Sequence, residues 1–252
     1  MLTRTSYRQI VSLARAALAL IALIALSAVV PVAAQQSSAA AQARPLRIGI
    51  IGAGNMGGPL GVTWAKAGHQ VLWASRNPGE LMPLVQQAAP RASAGYADAA
   101  AFFGDVVVLA VPPNVVPQLG KDIGPLLRGK IVIDMTNPRA DRDGEEQTAR
   151  WLGMGTGLAM QEYLPGARVV KAFNALGAPM LANPAPGGVK IAVPIAGDNA
   201  EDRERVAALV RDAGFEPVIV GPLARAKDFD RGTPVWVKGM NAQQLREALR
   251  VQ

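Results

Sequence analysis

Six residues, Gly52-Ala53-Gly54-Asn55-Met56-Gly57, carry the first spacing in the chain that could do chemistry. A Gly-x-Gly-x-x-Gly register suits a backbone that must pass close to a pyrophosphate. The first glycine permits a tight turn, the second lets phosphate approach, and the third lets a helix lie close to a strand. The N–H groups at that helix start, with the positive end of its dipole, then face the phosphates. About twenty residues further on, where an NAD binder usually carries Asp or Glu for the ribose 2′-OH, this chain reads Ser75-Arg76-Asn77-Pro78. A hydroxyl and a guanidinium suit a 2′-phosphate instead, and no carboxylate lies between Arg47 and Glu80 to repel one. The reading is NADP; a solvated arginine in a turn is the alternative.

Those residues need elements to hold them. Ile48 to Ile51 is a short β-branched run, as in a strand buried on both faces. A helical pattern through Val62, Trp64, Ala65 and Ala67 follows and Gly68 closes it. His69 to Ala74 makes the next strand. The glycines therefore sit in a strand–turn–helix–strand unit of about thirty residues, and that context separates them from a chance cluster.

Beyond it the pattern predicts a helix over Leu81 to Ala89, a strand over Ala92 to Gly95 and a helix over Ala97 to Phe103. Asp105 to Val111 is a strand that runs into Pro112-Pro113, with a helix after it as far as Leu119. Lys130 to Asp134 is another, ending in Met135-Thr136-Asn137-Pro138. Arg139 to Thr148 reads as a solvated loop entering a helix, with a mobile cover over the site as the alternative. Further strands are expected over Ala167 to Asn174, Val189 to Ala196 and Glu216 to Val220. Asp198 to Glu201 has capping-box spacing and opens a helix to Ala213; Asn241 to Gln244 caps a terminal helix with Leu245 and Leu249 on one face.

Alternation of this kind implies an α/β fold: a doubly wound, Rossmann-type, mostly parallel sheet in a single domain with a C-terminal αβ extension. The nucleotide-binding domain is expected over residues 46–222 and the extension, with its terminal helix, over 223–252. Ligands of such sheets lie at the carboxyl ends of the strands. That places Ala110, Val111 and Pro112, and likewise Asn137 and Pro138, along the nicotinamide half of the cofactor. Prolines that merely stop strands would read the same way.

Composition narrows the chemistry. The chain has no cysteine, which excludes disulfides, thiolate metal sites and cysteine nucleophiles. Its one histidine is too few for an ordinary zinc site, and no metal constellation is expected. The formal charge of +7 includes Arg4, Arg8 and Arg15, and the remaining basic residues are scattered, so no nucleic-acid surface is expected. Residues 1–34 read as an export signal: a basic start, the uncharged run Ala16 to Val30, and small residues at Val32-Ala33-Ala34 that place cleavage before Gln35. A retained anchor is the alternative, and would be the chain's only membrane contact. Residues 35–45 read as a flexible linker. The expected location is periplasmic or secreted.

The ordered series GIIGAGNMG, ASRNP, VVVLAVPP, IVIDMTNP and VVKAFNALG, between Leu46 and Pro222, resembles the deazaflavin (coenzyme F-420)-dependent NADP reductase family. It is also similar to the cytoplasmic reductase domain of the eukaryotic membrane metalloreductases. The resemblance implies an NADP(H)-dependent oxidoreductase passing hydride between nicotinamide and a deazaflavin or flavin-like small molecule, and a homodimer. It implies that the loop from Gly52 to Gly57 holds the cofactor and that Ser75 and Arg76 clasp the 2′-phosphate. Ala110 to Pro112 would lie along the nicotinamide, and the segment Lys171 to Asn174 would face the second ring, with Asn174 the candidate there. The chain departs from the family in its leader, in Trp151 to Met160 and in the tail from Ala224; the last two would shape the acceptor pocket. Hydride transfer between stacked rings needs close parallel contact rather than a protein acid or base, so no catalytic residue is expected. His69 reads as structural. Two other readings stay open: an exported dinucleotide-binding module without turnover, and an imine or carbonyl reductase, for which Lys171 or Tyr163 would be the proton donor.

Overall fold

Arg47–Ile51 forms β1, and its last four residues are buried, as a β-branched run flanked by strands on both sides requires. The computed structural model describes residues 45–251; the expected leader, and the linker up to Arg44, lie outside the described residues. Seven further strands follow: β2 (Gln70–Ala74), β3 (Ala92–Gly95), β4 (Val106–Leu109), β5 (Ile131–Asp134), β6 (Arg168–Lys171), β7 (Ala192–Gly197) and β8 (Glu216–Gly221). They make one sheet in the order β3-β2-β1-β4-β5-β6-β7-β8. β1 to β6 are parallel to one another, β7 runs antiparallel to β6, and β8 is parallel to β7. The chain reverses its strand order between β1 and β4, which opens a crevice at their carboxyl ends.

Helices cover both faces. They are α1 (Gly57–Lys66), α2 (Met82–Gln87), α3 (Ala97–Phe103), α4 (Val116–Leu127), α5 (Ala140–Asp143), α6 (Glu145–Met154), α7 (Thr156–Tyr163), α8 (Ala178–Ala182), α9 (Ala200–Asp212) and α10 (Ala242–Leu249). Alternate side chains of β4 show the division, because successive residues of a strand point to opposite faces. Val106 and Val108 pack with Trp64 of α1 and Leu209 of α9, whereas Val107 and Leu109 pack with Ala100 of α3, Ile123 of α4 and Met160 of α7. Trp73 joins sheet to site: its Nε1 donates to the carbonyl of Gly57 at 2.9 Å, fixing the start of α1. A third apolar cluster joins β7 and β8 to the tail, through Ala226, Phe229, Val235, Leu245 and Leu249. Among the described residues no helix is long and apolar enough to cross a membrane.

The expected α/β, mostly parallel architecture is observed, with local differences that have packing causes. The helix after Pro112-Pro113 does not stop near Leu119: a 3-10 turn at Pro113–Val115 leads into α4, which runs to Leu127 through Gly120, Gly124 and Pro125. Its Val116, Ile123 and Leu127 are buried, and a Cβ at Gly120 would lie 2.0 Å from the carbonyl oxygen of Tyr163. Close packing on α7 keeps helical a stretch whose propensities would end it. The expected helix over Leu81 to Ala89 is split into a 3-10 turn, Pro78–Leu81, and α2. Arg139 to Thr148 is largely helical rather than loop, in α5 and the start of α6. The cap of α9 is Asn199, whose side chain accepts from the N–H of Asp202. Asp198 is diverted, accepting instead from the N–H of Leu223 at 2.9 Å. The terminal capping box at Asn241 and Gln244 forms as expected.

Candidate functional site

The glycine turn leaves β1 at the switch point. Gly52 has φ +103°, and a Cβ there would lie 2.4 Å from the carbonyl oxygen of Ala110, so both turn and close approach require glycine. A Cβ on Gly57 would lie 2.1 Å from the carbonyl oxygen of Gly52, which confirms its part in bringing α1 against the sheet. Gly54 differs: a Cβ there would meet nothing within 4 Å. The space in front of it is open, as a cradle for a phosphate must be. Helix α1 begins without a side-chain cap; Gly58 N–H is taken by the carbonyl of Gly54 at 2.9 Å and Pro59 has none, so the N–H groups of the turn up to Gly57 are the ones that can meet a ligand. Ala53 and Met56 pack their side chains against the core, so only their backbone can meet one, while Asn55 is exposed.

Beside this turn lies a cleft of ≈ 620 Å³. The structure brings together Gly52, Ser75, Arg76, Val111 and Pro112 along its wall. Ser75 Oγ accepts from the N–H of Asn77 at 3.1 Å, which leaves its hydroxyl proton free to donate. Asn77 in turn holds Glu80 at 3.1 Å. Arg76 is exposed and, among the described residues, has no acidic partner. Sequence reasoning missed the far wall. Tyr96, Val115, Leu119 and Ile123 supply an apolar side on which a planar ring could rest. Tyr96 is 62% exposed. The expectation that no carboxylate stands near the 2′-phosphate is corrected: Asp98 and Asp122 line the same cleft. They come from the starts and middles of helices distant in sequence, where no motif marks them.

A second, buried centre lies at the carboxyl ends of β5 and β6. Lys171 is fully buried, and its ammonium donates to Asp134 Oδ2 at 2.9 Å, to the carbonyl oxygen of Thr136 at 2.6 Å and to Thr136 Oγ1 at 3.4 Å. Asn137 Nδ2 donates to the carbonyl oxygen of Asn174 at 2.8 Å, and Trp236 Nε1 donates to the same oxygen at 3.1 Å. Asn174 Nδ2 donates to the carbonyl oxygen of Phe229 at 3.2 Å. The side-chain oxygens of Asn137 and Asn174 are buried without a partner among the described residues. Phe173, immediately before Asn174, has φ +63°, a conformation bulky residues rarely adopt. Edge-to-face contacts with Trp64 and Phe215 hold it there. Pro138 lies apart from the cleft, on the wall of another cavity, and Ala110 is bonded through its N–H to Ile51.

Of the two proton-donor candidates, Lys171 spends its protons as described. Tyr163 OH accepts from Trp151 Nε1 at 3.3 Å and keeps its own proton, but Tyr163 packs behind Leu119 and Ile123 and does not line the cleft. The titratable group that sequence missed is Asp230. It is 2% exposed, accepts from the N–H of Thr156 at 2.8 Å and is also bonded to the Thr156 hydroxyl. Burial holds its carboxyl above the ordinary value of 3.8, opposed by the charge of Lys171 and the bonds from Thr156. His69 is structural, as expected: Nδ1 accepts from the N–H of Leu46 at 3.0 Å, so Nε2 donates to Asp212 at 3.0 Å.

Residues 47–138, which contain the glycine turn and the Ser75-Arg76 pair, match the family described as NADP oxidoreductase, coenzyme F420-dependent. Metalloreductase STEAP2 of Mus musculus is 28% identical to it over 191 residues, covering 75% of this chain and 36% of that protein. The chain thus spans about a third of the length of the curated relatives it matches. The crystal structure of a hypothetical protein of Sinorhizobium meliloti superposes with a TM-score of 0.65 at 29% identity, over 81% of this chain and 98% of that one. A protein of Arthrobacter sp. FB24, described as an F420-dependent NADP-reductase, gives 0.65 at 25% identity over 82% and 96%. The resemblance expected from the ordered motifs is present, and so is the Rossmann-type fold.

Proposed function

We propose that this NADP-dependent oxidoreductase passes hydride between nicotinamide and a deazaflavin or flavin-like ring held over the carboxyl ends of β5 and β6. One observation carries the reading: Gly52 of the glycine turn, which is open at Gly54, lines one crevice with the guanidinium of Arg76, which has no acidic partner among the described residues. The cofactor, when bound, supplies a hydride donor or acceptor. The chain's own residues do the rest. The turn from Gly52 to Gly57 binds the pyrophosphate through backbone N–H groups, and Ser75 and Arg76 hold the 2′-phosphate. Tyr96 and Leu119 cover the adenine. Asn137 and Asn174 offer their unpartnered oxygens to the carboxamide, which orients the ring. No side chain has to move a proton for hydride to pass between stacked rings.

The experiment is a fluorescence titration of the purified chain with NADPH and with NADH, followed by NADPH oxidation in the presence of flavin or deazaflavin acceptors. The expected result is at least about tenfold tighter NADPH and measurable turnover. Tight NADPH without turnover on any such acceptor would make the chain a dinucleotide-binding module. Equal affinity for the two cofactors would remove the role of Ser75 and Arg76.

A further inference from the structure

A cavity of ≈ 470 Å³ has Pro138, directly after Asn137 of the buried centre, in its wall. Arg139 and Asp141, Thr148 and Leu152 of α6, and Arg231 of the tail make up most of the rest. Two of those walls come from segments without a counterpart in the ordered motifs. The volume is within the range of small-molecule sites and large enough for a fused aromatic ring. Its charges are unequally committed. Arg139 is paired with Asp141, and Arg142, just outside, with Asp143. Arg231 has neither ion pair nor hydrogen bond among the described residues. It is nevertheless held in place, with its guanidinium 4.6 Å from the centroid of the Trp236 ring. Trp236 is fixed in turn by its bond to the carbonyl of Asn174.

We infer that this cavity is the acceptor's subsite and that Arg231 makes it selective for a ring carrying a phosphate. The inference rests on the reductase reading and names the class of acceptor. A guanidinium held over an indole keeps N–H groups for a partner, and two parallel N–H groups match two phosphate oxygens. A positioned cation without a counter-charge gains most from a dianion. The chain through Asn174, Trp236 and Arg231 sets the distance between the nicotinamide end and the phosphate. A neutral ring of the same shape fills the cavity but gains nothing from Arg231.

FMN and riboflavin share one ring and differ by a phosphate, so they test this directly. Quenching of flavin fluorescence is titrated on the full chain with NADP+ at saturation, which keeps the cofactor's own phosphate sites occupied. The wild-type chain should bind FMN at least about tenfold more tightly than riboflavin. In Arg231→Met, which keeps the stem on the indole, FMN should fall to the level of riboflavin while riboflavin is unchanged. Arg231→Lys, which keeps the charge but loses the fork, should lie between. Equal affinity in the wild-type chain overturns the inference without any variant, and so does an FMN preference that survives Arg231→Met. NADPH titrated on the same samples separates the two readings. Bound NADPH with no FMN preference sinks the subsite alone, whereas unbound NADPH sinks the reductase reading beneath it.

Discussion

Arg76 and Asp98 share one cleft with opposite charges, and the cofactor's 2′-phosphate would have to choose between them. A charge-assisted contact is worth roughly 1.5–3 kcal/mol. Arg76→Ala should therefore weaken NADPH by roughly ten- to a hundredfold and spare NADH, as two parallel titrations would show. Asp98→Asn should do the reverse on a smaller scale, because a like charge at a solvated edge repels by about 1 kcal/mol. NADPH should tighten by up to about fivefold. Unchanged NADPH affinity in Asp98→Asn would mean that its carboxylate faces away from the phosphate. The pair also shows what the sequence could tell. Ser75 and Arg76 were legible because they follow the glycines at a fixed interval along one supersecondary unit. Asp98 and Tyr96 reach the cleft only through the parallel pairing of β2 with β3, and no local spacing encodes that.

The glycine turn gives a cleaner separation at the level of the element. Gly57→Ala forces a Cβ against the carbonyl of Gly52, and backbone cannot yield as a side-chain tip can. It should cost about 1–3 kcal/mol of stability and lower the melting temperature, whether or not cofactor is present. Gly54→Ala meets nothing in the free protein. It should melt within about a degree of wild type, yet lose NADPH affinity, since the added methyl takes the space a phosphate needs. A melting temperature that fell as far for Gly54→Ala would show that the turn is strained throughout and that the open space is no cradle. These two roles were readable in advance from the motif and its flanks. The length of α4 and the shift of the α9 cap from Asp198 to Asn199 were not. In each case a tertiary partner, Tyr163 or Leu223, decides between options that local pattern leaves nearly equal.

Across the whole molecule, the segment after β8 is the part least legible in sequence and the one that closes the site. Asp230 pins it to α7, and the sign of its linkage can be worked out. Its native carboxyl is held above 3.8, chiefly by burial, so the native state keeps a proton that the unfolded chain releases. Stability then falls as pH rises from the ordinary carboxylate value through the raised native one, and is level above it. Asp230→Asn mimics the protonated acid. Denaturant melts across that window should show wild type losing ground to the variant as pH rises, and a constant difference would rule out the titration.

The stability of the sheet depends on the same segment. Leu223, Ala226, Phe229, Val235, Leu245 and Leu249 are all buried, most of them against Ala192, Ala196, Val218 and Val220 of β7 and β8. Burying one large apolar side chain is worth about 1.5–3 kcal/mol, and a domain's net stability is only about 5–15 kcal/mol. A chain ended at Pro222 would expose one face of β7 and β8 and would lose the bonds from Trp236 to Asn174, from Asn174 to Phe229 and from Thr156 to Asp230. It should therefore show no single cooperative transition in urea, monitored by circular dichroism against the full chain. A truncated chain that unfolded in one transition, within about 1 kcal/mol of the full one, would make the tail an appendage. In that case Arg231 and Trp236 would be free to move relative to β6, and a fixed distance between nicotinamide and acceptor phosphate would have no structural basis.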